Sequence, residues 1–260
     1  MTTYLESIIL GVVQGLTEFL PVSSSGHLVL AQHLFGVKEG ALLLDTLLHV
    51  ASVLAVVYVF RRDIAELLQQ AFGRKGMEKK SAWRYILWLI IGSVPAGIAG
   101  ILFKDFFESL FSNTQAVGFS LLFTAALLFL TAARKKEGGT ISLWQAVGIG
   151  LAQAVAILPG VSRSGSTIAI ALLLGVARTE AGKFSFFLAL PAIIGAAVLQ
   201  LKDCAFASVA WGPIFAGFLA SCIVSILALK LLLWVIRGGK LYYFGFYCAV
   251  IGLLSIIFLH

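Results

Sequence analysis

Hydrophobic positions along this chain gather in long runs instead of recurring on one helical face. Six runs, residues 42–60, 85–103, 117–133, 184–201, 213–236 and 241–259, hold few or no charges. Each comes close to the ~20 residues that an α-helix needs to cross a bilayer core. None alternates in the way of an outer-membrane barrel strand, so the expected fold class is all-α, in a polytopic integral membrane protein. Two more apolar regions, 4–35 and 141–176, are each interrupted near the middle by Pro, Gly and Ser. Lipid offers the backbone no hydrogen-bond partner, so these breaks must be buried in protein or line a wet cavity. Each broken region precedes three continuous runs. Three crossings are an odd number, so the second set must start from the opposite face. The pattern predicts a single membrane domain built as an inverted-topology repeat, 1–136 and 137–260, each half a broken, re-entrant hairpin plus three transmembrane helices.

Composition agrees and charge adds direction. Of 260 residues 60% are hydrophobic and 12% charged, against about 25% charged in a soluble domain. The formal charge of +7 does not call for nucleic acid, because basic residues in a membrane protein first report topology. Residues 61–84, "RRDIAELLQQAFGRKGMEKKSAWR", and 134–136, "RKK", are expected on the cytoplasmic side, with the tip "KDFFESLFSN" outside. Residues 63–72 read either as an amphipathic helix at the interface or as a solvated loop. The N-terminus lacks a removable signal peptide's basic region and cleavage site, so insertion is expected to use the mature helices. Cys204, Cys222 and Cys248 are an odd number without metal-ligand spacing and read as free packing residues.

The two breaks resemble each other. "QGLTEFLPVSSSGH" begins at Gln14 and "QAVAILPGVSRSGS" at Gln153. Both give Gln, a short apolar stretch, Leu-Pro, Val-Ser, one variable residue and Ser-Gly; the second lacks one residue before the proline and gains a glycine after it. Gln14 and Glu18 are four apart and share a helix face. Pro21 ends that helix, and Ser23, Ser24 and Ser25 suit the start of the next. A helix N-terminus presents free N–H groups and partial positive charge to an anion, with His27 in its first turn. The second break repeats this with Ser162, Ser164, Ser166 and Thr167 and adds Arg163, whose fork matches phosphate oxygens. Brought together, these groups suit phosphoryl chemistry: donors for the non-bridging oxygens, Ser24 or His27 as nucleophile, and Glu18 as base or metal ligand. Ser24 is favoured as nucleophile, with Glu18 as base and His27 as proton donor or phosphate contact. An intramembrane carboxylate is by default a functional residue. Asp45 and His49, also four apart, read as partners of the site residues or as interfacial polar residues, the latter favoured, and Lys230 as a snorkelling lysine. There is no Walker-type glycine loop, zinc-ligand spacing or nucleophile elbow.

With these residues in view, "QGLTEFLPVSSSGH" and "PGVSRSGST" resemble the two signature motifs of the BacA-type undecaprenyl-diphosphate phosphatases, over nearly the whole chain. The resemblance implies hydrolysis of undecaprenyl diphosphate to the monophosphate, recycling the lipid carrier for peptidoglycan and lowering sensitivity to bacitracin. It implies Glu18, Ser24, His27 and Arg163 as catalytic residues, with Gln14, Ser162 and Thr167 around the substrate; the break pattern adds Ser23, Ser25 and Ser164 to that lining. It also implies a divalent cation, Mg or Ca, with Glu18 as ligand; Gln14 stands where a member with Glu would supply a second carboxylate. The family's setting is the bacterial cytoplasmic membrane, with the site on the outer side, and the sequence leaves a homodimer open. The alternative reading is a transporter or flippase of a polyprenyl phosphate or other anionic lipid, since broken helices also build carriers.

Overall fold

The computed structural model describes residues 3–35, 41–73, 77–111, 113–133, 138–202 and 210–258. Among these there is no strand. The first broken region forms α1 (Tyr4–Thr17) and α2 (Ser24–Phe35), followed by α3 (Ala41–Val59), α4 (Arg61–Phe72), α5 (Met77–Leu102), the short α6 (Lys104–Leu110) and α7 (Thr114–Leu130). The second forms α8 (Leu143–Val155) and α9 (Arg163–Leu173), followed by α10 (Arg178–Leu201), α11 (Trp211–Arg237) and α12 (Tyr243–Phe258). Helices α5, α7, α10 and α11 are long and apolar enough to cross a membrane, and α3 with α4, bent by 70° at Phe60, brings the number to five where the pair counts as one broken span. The protein is therefore a multi-pass membrane protein. The last expected run is shorter than its apolar stretch: α12 starts two residues later and falls below the length of the other spans.

The breaks fall where Pro, Ser and Gly put them, at 18–23 and 156–162. Both broken regions also begin with the same device. Thr3 and Glu6 form a capping box ahead of α1, and Ser142 and Gln145 form one ahead of α8, so two otherwise orphaned N–H groups are satisfied at each start. Residues 63–72 are helical, as the first of the two readings expects, within α4. α4 is a helix whose far end is fastened to α5 by the Trp83 Nε1 donating to the Ala71 carbonyl at 2.9 Å, with the Phe72 and Trp83 rings edge-on. Arg134, Lys135, Lys136 and Cys204 lie outside the described residues. Cys222 and Cys248 are free thiols.

Helices meet at small residues, as close packing in lipid favours. α1 lies on α11 and α8 lies on α5. A methyl group on Gly11 would run into the Gly217 carbonyl, and one on Gly150 into the Gly92 carbonyl. α7 lies on α12, where a Cβ on Gly118 would sit 2.9 Å from the Gly252 carbonyl and one on Gly245 would sit 3.1 Å from the Ala125 carbonyl. Between these crossings the interior is filled by Phe19, Phe60, Phe184, Phe186 and Leu188 among others, with Phe186 edge-on to Phe19 at 5.7 Å.

Candidate active site

The site is built where the two breaks interlock. In the second, Gly160 takes the left-handed conformation, φ +93°, which glycine adopts freely. The first lacks that glycine, and Ser23 takes the left-handed turn instead, φ +71°, a conformation that costs a residue with a Cβ roughly 1–2 kcal/mol. The turn is held from several sides. The Cys248 thiol donates to the Pro21 carbonyl at 3.3 Å, the Ser164 hydroxyl donates to the Leu20 carbonyl at 3.3 Å, and the Ser23 hydroxyl accepts from Gly26 N–H at 3.3 Å. The second break is pinned by Thr124 on α7, which donates to the Gly160 carbonyl at 3.1 Å and accepts from Ser162 N–H at 3.0 Å. A Cβ on Gly26 would lie 3.1 Å from Gly160 Cα, and one on Gly165 would lie 3.1 Å from Pro21 Cβ. Both approaches are tighter than most Cβ contacts, so a side chain at either position would push the two breaks apart by a few tenths of an ångström.

At the junction Glu18 is buried. Its Oε2 accepts from Gln14 Nε2 at 2.9 Å and from the Ser24 hydroxyl at 2.6 Å, while Arg163 Nη2 donates to Oε1. Gln14, Glu18, Ser24 and Arg163, singled out from sequence, are thus in one hydrogen-bonded set drawn from both breaks. The Arg163 Nη1 is buried with no partner among the described residues. A desolvated guanidinium N–H left unpaired is expensive, and it is what a phosphate oxygen would satisfy.

His27 does not join this set. Its Nδ1 lies 2.8 Å from the Ser23 carbonyl, which can only accept, so the proton is on Nδ1; its Nε2 then accepts from the Tyr247 hydroxyl at 2.8 Å, and the two rings stack. The expected convergence of His27 with Glu18 is corrected accordingly: the ring leans on α12. The imidazole at Glu18 is His49, Nε2 3.6 Å from Oε2, with Nδ1 bound to the Asp45 carbonyl at 2.8 Å. Sequence reasoning set His49 aside. The signal was present as a histidine in the middle of an otherwise apolar span. Of the remaining candidates, Ser23 and Ser25 hydroxyls meet at 3.3 Å, and the Ser162 hydroxyl caps α9 by accepting from Gly165 N–H at 3.0 Å. Thr167 donates to the Arg163 carbonyl at 2.8 Å. These side chains shape the turn that carries Ser24 and Arg163 and do not touch Glu18.

A family model described as bacitracin resistance protein BacA matches residues 7–254. A protein of Methanosphaera stadtmanae named undecaprenyl-diphosphatase is 41% identical over 99% of this chain and 98% of its own length. Proteins of the same name from Halothermothrix orenii, 41% identical over 96% of both chains, and from Carboxydothermus hydrogenoformans, 41% identical over 97% of this chain and 96% of its own, are equally similar. The chain belongs to the BacA family. In this BacA-family chain the surroundings of Glu18 do not fit a resident divalent cation. Both carboxylate oxygens already accept hydrogen bonds, Gln14 turns its amide N–H toward the carboxylate, and the other neighbours are a guanidinium and an imidazole. Among the described residues no group of three or more His, Cys, Asp or Glu could hold a metal ion, so the protein alone offers no cage for Ca, whereas Mg needs only one or two carboxylates together with substrate phosphates.

Proposed function

We propose that this BacA-family protein hydrolyses undecaprenyl diphosphate to undecaprenyl phosphate and inorganic phosphate, recycling the lipid carrier for peptidoglycan synthesis and lowering sensitivity to bacitracin. The observation that carries the reading is the set Glu18, Ser24 and Arg163: a hydroxyl held against a buried carboxylate, beside a guanidinium with one buried N–H unpaired. The names of its relatives point to the same reaction.

The terminal phosphoryl group takes the unpaired Nη1 of Arg163 and those first-turn N–H groups of α2 and α9 that the Ser23 and Ser162 hydroxyls leave uncapped. Ser24 Oγ attacks the terminal phosphorus as Glu18 takes its proton. The bridging P–O bond breaks and undecaprenyl phosphate leaves. Glu18 passes that proton to the departing phosphate oxygen, then takes a proton from the water that attacks the phosphoserine and returns it to Ser24 Oγ as the phosphoserine P–O bond breaks and inorganic phosphate is released. His49 is the imidazole beside Glu18, with Nε2 3.6 Å from Oε2 and Nδ1 held by the Asp45 carbonyl. His27 and Tyr247 hold the start of α2.

The paired crossings support an inverted repeat. Gly11 and Gly150 each stand three residues before the glutamine of their break, and each meets a glycine of the opposite half, as a two-fold axis in the membrane plane requires. With the basic segment 61–84 on the cytoplasmic side, the first hairpin enters from the outer face of the bacterial cytoplasmic membrane and Glu18 faces outward.

Arg163→Lys tests the reading. It keeps the charge and loses the fork. Since loss of one oriented donor typically costs about 10²- to 10³-fold in kcat, undecaprenyl diphosphate turnover should fall by that order. A rate within twofold of the parent would leave Arg163 structural and remove the basis of the site.

A further inference from the structure

A cavity of about 170 Å³ opens at the end of the bundle where α10 begins, between α4, the first turn of α10 and the last turn of α11. Its rim carries Arg178, Lys183 and Arg237 with Thr179, Asp63 and Glu180. Its wall is apolar, from Phe60, Leu233 and Ile236. The charges are not balanced internally. Lys183 Nζ is 2.7 Å from Asp63 Oδ1, which ties α4 to α10 and cancels that pair, while Arg178 and Arg237 form no ion pair among the described residues. Two guanidinium groups then face one carboxylate, Glu180. The start of α10 adds to the imbalance, since its N-cap, Ala177, supplies no side-chain acceptor to the first-turn N–H groups. Arg178 is also held in place. Gly239, φ +68°, turns the chain after α11 so closely that a Cβ there would lie 2.8 Å from Arg178 Cζ.

We propose that this cavity is a second anion site, separate from Glu18, that binds the phosphate of an anionic membrane lipid. Basic pockets between transmembrane helices are built for lipid headgroups. The apolar wall and the neighbouring Trp234, exposed on α11, fit an amphiphile at the interface better than a free ion. The cavity shares no residue with the Glu18 set. From its wall the rings of Phe60, Phe186 and Phe19 follow one another at 5.9 and 5.7 Å, so packed aromatic core leads from the cavity to the residue beside Glu18. The proposal stands whether or not Glu18 and Ser24 hydrolyse a diphosphate.

The test uses full-length purified protein in nanodiscs of phosphatidylcholine with increasing phosphatidylglycerol, reading bound phosphatidylglycerol by native mass spectrometry. With about fivefold in affinity per arginine near the surface, Arg178→Gln with Arg237→Gln should weaken retention about 25-fold. Arg237→Gln alone, at an exposed helix end where folding is not at risk, should weaken it about fivefold by the same scale. Arg62→Gln with Lys80→Gln, which removes two exposed charges of the basic segment outside the cavity, should leave it within twofold. Millimolar inorganic phosphate should not displace the lipid. Equal loss in the control pair would mean diffuse surface attraction, full displacement by phosphate would mean a free-anion site, and unchanged retention in both arginine variants would mean no site; each overturns the proposal.

Discussion

Ser24 and His27 stand one helical turn apart, and the surroundings of each decide what it can do. Ser24 gives its hydroxyl proton to Glu18 at 2.6 Å, the geometry of an activated nucleophile. His27 has both ring nitrogens engaged, so it has no free lone pair to attack with. A quenched-flow experiment with labelled substrate should therefore trap an acid-stable phosphoserine that disappears in Ser24→Ala and persists, at reduced rate, in His27→Ala. An acid-labile adduct that survives Ser24→Ala and vanishes in His27→Ala would reverse the assignment. Glu18, Gln14, Ser24 and Arg163 were legible in the sequence because a carboxylate, an amide and a guanidinium are conspicuous among apolar residues and because the break motifs place them at helix ends. His49 was legible only as a polar residue in an apolar span; its partner was not, since only the packing of α3 against α1 brings Nε2 to 3.6 Å from the carboxylate. The orientation of His27 was illegible for a similar reason: its partner Tyr247 lies 220 residues away.

Helices α1 and α8 are too short to span and are held by their crossings on α11 and α5. At Gly11 and Gly150 any side chain meets a backbone carbonyl that cannot retreat, while a Cβ on Gly97 of α5 meets nothing within 4 Å. Gly150→Leu and Gly11→Leu should each destabilise by about 1–3 kcal/mol or more, the range for overpacking, seen as a lower melting temperature in detergent. Gly97→Ala should leave it unchanged or raise it, since alanine is the better helix former. Equal melting in all three variants would mean that the crossings do not carry the hairpins. Element positions were largely readable from the lengths of the apolar runs, and both breaks from Pro and Gly. The bend at Phe60 was less so, because a run of apolar residues gives no sign of where the helix will turn into the interface.

For the whole molecule, direction and reaction are the open quantities. If residues 61–84 face the cytoplasm, a single cysteine at Lys79 should label only from the inside and one at Ser109 only from the outside, after replacement of the native cysteines. Outside labelling at Lys79 would invert the direction in which Glu18 opens. The central claim is that this arrangement cleaves a diphosphate instead of carrying a lipid, and two interlocked broken hairpins are an architecture that carriers also use. The most direct measurement is release of inorganic phosphate from undecaprenyl diphosphate by the purified protein in detergent, alongside Glu18→Gln. The account predicts multiple turnovers per molecule in the parent and a loss of about 10²-fold or more without the base. Tight binding of the lipid with no phosphate released by the parent would contradict it.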